Sequence, residues 1–111
     1  MAQHSTQLDV VFHALSDPTR RAVIDRLGRG PASVSELAEP FDMALPSFMK
    51  HVRMLEDGGW ITTRKAGRVR TCTLDAAPFT AVENWLQRQQ QNWEAHTDRL
   101  EQFVTRQEKS S

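Results

Sequence analysis

The sequence predicts a mainly α-helical domain carrying one β-hairpin and a long C-terminal helix. Three observations lead there. Apolar residues recur at three-and-four spacing through successive segments before residue 58. Residues 60–74 then turn rich in Thr, Ile, Val and Trp, with a glycine near the middle. From Pro78 to Arg106 there is neither a glycine nor a further proline.

The first helix is expected in "LDVVFHAL", where Leu8, Val11, Phe12 and Leu15 form one stripe. "SDPTRRAVIDRLGRG" restarts a helix: Asp17 can cap it, Pro18 suits its first position, and Gly28 and Gly30 end it. Its buried residues would be Ala22, Val23 and Leu27. "SVSELAEPF" offers a capping box, Ser33 with Glu36, ahead of Leu37, Ala38 and Phe41, and Pro40 limits it to about two turns. A short turn leads into "LPSFMKHVRMLEDGGW", whose apolar stripe is Leu45, Phe48, Met49, Val52 and Leu55. Its other face holds Ser47, Lys50, His51 and Arg53. The pair is a helix-turn-helix over about 34–57, a layout also open to any small helical bundle.

"WITTRKAGRVRTCTL" predicts two strands of about six residues joined at Ala66-Gly67-Arg68. Arg64, Lys65, Arg68 and Arg70 cluster at its tip. Edge strands use Lys and Arg to prevent aggregation, but four in seven residues exceeds that need. In the last helix, about 78–106, Phe79, Leu86, Trp93 and Leu100 recur at sevens. Val82, Gln89, His96 and Phe103 follow three positions behind. This heptad seam, roughly 40 Å long, exceeds what a small domain can cover. A second copy of the same helix is the expected main partner, with packing on the first helix contributing as well.

With 111 residues the chain affords one domain, expected over 8–106 with disordered tails at 1–7 and 107–111. The single cysteine, Cys72, excludes an internal disulfide framework. No apolar run approaches a membrane span and "MAQHSTQ" lacks a signal-peptide core, so a cytoplasmic protein without membrane partners is expected. Net charge is zero, from 14 basic and 14 acidic residues. It is unevenly spread: residues 1–43 sum to −2, 44–74 to +4 and 75–111 to −2. A basic middle third points to nucleic acid.

The order helix, helix, helix-turn-helix, hairpin, long helix is a winged-helix layout. "LSDPTRRAVIDRL", "SVSELAEPFDMALPSFMKHVRMLEDGGWI" and "RKAGRVRTCTLD" together resemble the ArsR/SmtB-type winged helix-turn-helix repressors. The resemblance covers about residues 8–105. It implies a homodimer that binds an inverted-repeat operator of double-stranded DNA, usually over its own promoter, and lowers transcription. The second helix of the motif would enter the major groove and the hairpin, over about 60–74, would be the wing. Ala44 and Ser47 would then stand at the start of the reading helix, Lys50 on a base, and His51 and Arg53 on phosphate. Arg68 would reach a minor groove or a phosphate, while Arg64, Lys65 and Arg70 neutralise backbone. Leu8, Val11, Phe12, Phe79, Val82, Leu86, Gln89, Trp93, His96, Leu100 and Phe103 would form the dimer interface.

The chain departs from the family at two reading-helix positions. Met49 stands where many members carry serine, and Ala44 replaces a capping serine, weakening the cap by about 1 kcal/mol unless Pro46 compensates. The metal-sensing patterns are also broken. "SELAEPFDM" has no thiolate, and the C-terminal ligand pattern falls on Glu83, Trp85, His96 and Arg99. No metal or other cofactor is expected. Cys72, read as half-buried, lacks a resolving partner for redox sensing. No nucleophile–base set or phosphate loop supports an enzyme. The alternative function is a protein-interaction module pairing through the heptad helix.

Overall fold

The computed structural model describes residues 2–110, with side chains from 7 to 106. The order is α1 (Ala2–Leu15), α2 (Pro18–Leu27), β1 (Ala32–Ser33), α3 (Val34–Ala38), α4 (Leu45–Asp57), β2 (Ile61–Ala66), β3 (Val69–Leu74) and α5 (Ala77–Ser110). This is a winged helix-turn-helix: α3 and α4 form the motif, and β2 and β3 the wing. The described residues fall into two compact units, one up to Thr80 and one from Ala81 onward. No helix among them is long and apolar enough to cross a membrane.

Local chemistry explains the boundaries. Asp17 caps α2 by accepting from the backbone N–H of Thr19 at 2.8 Å and Arg20 at 3.2 Å. Ser33 and Glu36 form the reciprocal capping box of α3. At the end of α4, Trp60 N–H donates to Leu55 O and Gly59 N–H to Glu56 O, both at 2.9 Å. That paired closure is a Schellman motif, and it needs the φ of +75° that Gly59 supplies. With no Gly or Pro between Ala2 and Leu8, α1 begins inside the stretch expected as a tail. Likewise α5 runs on to Ser110, past residue 106.

Several expectations are corrected. The hairpin loop is Gly67-Arg68, one residue shorter than expected, because Ala66 pairs with Val69. Gly67 has a φ of +63° and Arg68 does not adopt positive φ, the pattern of a type II′ turn. A third strand, β1, joins the sheet antiparallel to β3 through Ala32↔Cys72 and Ser33↔Thr71, giving the order β1-β3-β2. In α2 the inward stripe is Arg20, Val23, Ile24 and Leu27, and Ala22 is exposed. Val11 and Ala14 are the buried residues of α1, while Phe12 lies outward. Cys72 is fully buried rather than half-buried, because β1 and β2 flank its strand on both sides.

The core of the first unit assembles around Phe48, Val52, Leu55, Trp60, Ile61 and Cys72, all at most 1% exposed. The Trp60 indole N–H donates to Val11 O at 3.0 Å, and its ring meets Phe79 edge-on at 4.8 Å. Replacing Trp60 with Phe deletes that hydrogen bond and leaves a void. Stability should fall by about 1–3 kcal/mol, read as a lower thermal midpoint.

Candidate nucleic-acid interface

α4 opens without a side-chain cap. Ala44 is extended, with φ −66° and ψ 147°, and only its carbonyl enters the helix, accepting from Phe48 N–H at 3.1 Å. Pro46 in the first turn restricts the backbone in place of a capping hydroxyl. Phe48, Val52 and Leu55 anchor the inner face. At about 100° per residue, Ser47, Lys50 and Arg53 then share the outer face, and all three are exposed. Leu45 departs from the expected buried stripe: it is 55% exposed, because the first turn projects beyond the core that Phe48 begins to fill.

His51 lies on a flank of α4 and is held from inside the protomer. The Arg20 guanidinium reaches its Nδ1 at 3.0 Å, and Asp17 Oδ2 is 3.7 Å away. Arg20 is itself 5% exposed. It donates through Nε to Ala14 O at 2.8 Å and through a terminal nitrogen to His13 O at 3.1 Å. One buried cation thus ties the end of α1 to the start of α2 and to α4. Burial alone would raise the Asp17 carboxyl. The N–H of Arg20, the charge of His51, the N–H of Thr19 and the Arg20 guanidinium outweigh it and hold the group below its ordinary value.

The wing sorts its cations by the period of two. Lys65 pairs directly with Arg70, on the face shared by the Thr63–Cys72 pair, while Arg64 pairs with Thr71 on the opposite face. Arg68 occupies the tip. Arg70 is half-buried and donates to Thr63 Oγ1 at 3.1 Å, and the Thr63 hydroxyl in turn donates to Glu56 Oε2 at 2.9 Å. That chain links the wing to the end of α4. Two cations facing each other across a ladder repel, and an anion placed between them removes the penalty. Lys50, Arg53, Arg64, Lys65 and Arg68 have no ion pair among the described residues.

Between α3, the first turn of α4 and the wing lies a cavity of about 370 Å³. Val34, Leu45, Met49 and Val69 give it apolar surface, and Ser33, Ser35, Lys65, Arg68 and Arg70 give it polar surface. The site thus brings Lys65, Arg68 and Arg70 together and leaves Arg64 on the other side of the sheet. Ser33, Ser35, Leu45 and Val69 belong to it although sequence reasoning missed them. They escaped because the two-residue β1 pairing, which brings the start of α3 against the wing, leaves no periodic pattern in the sequence.

Cys72 has its thiol pushed above the ordinary value by burial and by Glu56, against the opposing pull of Arg70. Among the described residues no three side chains of His, Cys, Asp or Glu converge as metal ligands. On α5, Leu86, Trp93, Leu100 and Phe103 are exposed, as are Gln89 and His96, while Leu8 of α1 and Val82 are half-buried. Val11 differs from the expectation: it is core within the protomer. Phe79 stands edge-on to Trp60 and remains 40% exposed.

The Asp17 contacts carry a pH signature. A depressed folded-state pKa adds stability above the unfolded value, near 3.8, and loses it as pH falls through the folded value. Asp17→Ala should therefore cost about 1 kcal/mol at neutral pH, and its difference from the parent in denaturant melts should shrink below pH 4.

A family model described as "Helix-turn-helix domain" matches residues 15–64, from the end of α1 into the wing. The chain is 35% identical to the HTH-type transcriptional regulator Rv2034 of Mycobacterium tuberculosis, over 72% of this chain and 75% of that protein. It is 32% identical to the transcriptional repressor SdpR of Bacillus subtilis, over 68% of this chain and 84% of that one. The crystal structure of an ArsR family transcriptional regulator superposes with a TM-score of 0.80 at 68% identity, covering 81% of this chain and 93% of that one. With the motif, the wing and the long helix all present in order, the chain belongs to the ArsR family of transcriptional regulators.

Proposed function

We propose that the chain is a homodimeric repressor that binds an inverted-repeat operator, its own promoter included, in the cytoplasm. One observation bears most of the weight. In a chain with no net charge, the outer face of α4 and the wing expose Lys50, Arg53, Arg64, Lys65 and Arg68 without ion-pair partners among the described residues. Such a surface can take the place of the cations condensed on DNA phosphates, and their release drives binding. Lys50 and Ser47 stand where a helix in the major groove addresses base edges, and Ala44 lets the backbone come close. Arg53 and Arg64 contact flanking phosphates. Arg68 leads the wing tip towards a minor groove, and Lys65 with Arg70 holds a phosphate just behind the tip. His51 acts by fixing α4 on Arg20.

A second copy is supplied by the seam. Leu86, Trp93 and Leu100 repeat at sevens along α5, Phe103 continues the second row of the seam, and all four are more than half exposed, with Gln89 and His96 between them setting register. Two-fold pairing presents two reading helices, matching a palindromic site. A protein-interaction module would give the wing cations no role.

The test is fluorescence anisotropy on duplex DNA from upstream of the gene, across a salt series. Affinity should fall linearly in log–log salt. Arg68→Ala should weaken all sequences alike and reduce the slope by about one, whereas Lys50→Ala should lose about 1–3 kcal/mol on the operator alone. Salt-independent binding would overturn the DNA assignment. Trp93→Glu should yield a monomer by sedimentation and lose operator binding at the same protein concentration.

A further inference from the structure

We infer that Leu45 is a specificity-determining residue that reads the 5-methyl group of one thymine in each operator half-site. The inference rests on the proposal above that α4 enters the major groove. Leu45 is the first residue of α4, and the first turn of a reading helix comes nearest the base edges. It is 55% exposed, whereas Phe48, Val52 and Leu55 of the same helix are fully buried. Burial in the core therefore does not account for an apolar residue there.

Its surroundings define what it meets. At about 100° per residue, Leu45 and Met49 share the flank of α4 opposite His51, and both line the cavity shared with Lys65 and Arg68 of the wing. Those cations suit phosphates on either side of the groove. Leu45 has no donor or acceptor, so it cannot pair with the polar edges of guanine, cytosine or adenine. The one apolar group that a base presents in the major groove is the thymine methyl. Contact would remove both apolar surfaces from water, while Ser47 and Lys50 on the adjacent face address neighbouring polar edges.

The experiment uses the full-length chain. Duplexes are first selected from a random library, and each thymine of the enriched half-site is then replaced by deoxyuridine, which deletes only the methyl. The parent protein should lose about fourfold in affinity per half-site at one thymine, the worth of one buried methyl. Leu45→Ala should bind the thymine and uracil forms of that position equally, with an unchanged melting temperature. Leu45→Met should keep the discrimination. The inference is overturned if no thymine is methyl-sensitive in the parent, or if Leu45→Ala remains as sensitive as the parent. It is also overturned if Leu45→Ala melts lower and weakens both forms alike, which would make Leu45 a packing contact for the wing. Failure to enrich any duplex would instead defeat the assignment of α4 to DNA, a separate and visible outcome.

Discussion

The indole of Trp60 is the fixed point of the DNA-binding unit. It follows the Schellman closure of α4 and immediately precedes β2, so its position sets the angle between reading helix and wing. Its hydrogen bond to Val11 brings in α1, and its edge contact with Phe79 brings in the start of α5. The packing allows little variation. A Cβ on Gly58 would stand 3.1 Å from the indole, 3.3 Å from Ala14 Cβ and 3.3 Å from Val10 O. The glycine pair after α4 therefore serves two different needs: Gly58 permits close approach, and Gly59 the left-handed turn.

Around that anchor, polar contacts hold α4 from both sides. Arg20 gathers the carbonyls of His13 and Ala14 and fastens them to His51. On the other side, Arg70, Thr63 and Glu56 join the wing to the last turn. Charge is thereby divided by function. Arg20 is committed to internal bonds and Arg70 is steadied by one, while Lys50, Arg53, Arg64, Lys65 and Arg68 are left to meet a ligand. A side chain that reads a base needs a rigid support, and these networks supply it.

Much of this was legible in the chain. The Asp17 cap, the Ser33–Glu36 box and the glycine stop after α4 are local rules, and they appear in the structure with their expected hydrogen bonds. The mainly helical class with a wing followed from periodicity. What escaped was set by tertiary packing. The pairing of Ala32 and Ser33 with β3 joins residues about forty positions apart, and two residues leave no periodic trace. His51 read as part of the outer polar face because helical spacing cannot reveal an arginine arriving from another helix. Leu45 followed the apolar stripe in projection, yet the core begins only about one turn after it, at Phe48. Periodicity tells which side of a helix faces inward, but not how far along it the interior extends.

Cys72 has a consequence for how this regulator can be studied. It is the chain's sole cysteine, and it is sealed between neighbouring strands with its thiol held in the protonated form. Maleimide or spin-label reagents would therefore find almost no reactive sulfur on the folded protein. A new cysteine at the hairpin tip or along the C-terminal helix would take a probe selectively, with the native residue left in place. Distances between the two halves of an assembled pair could then be followed in solution, free and on DNA.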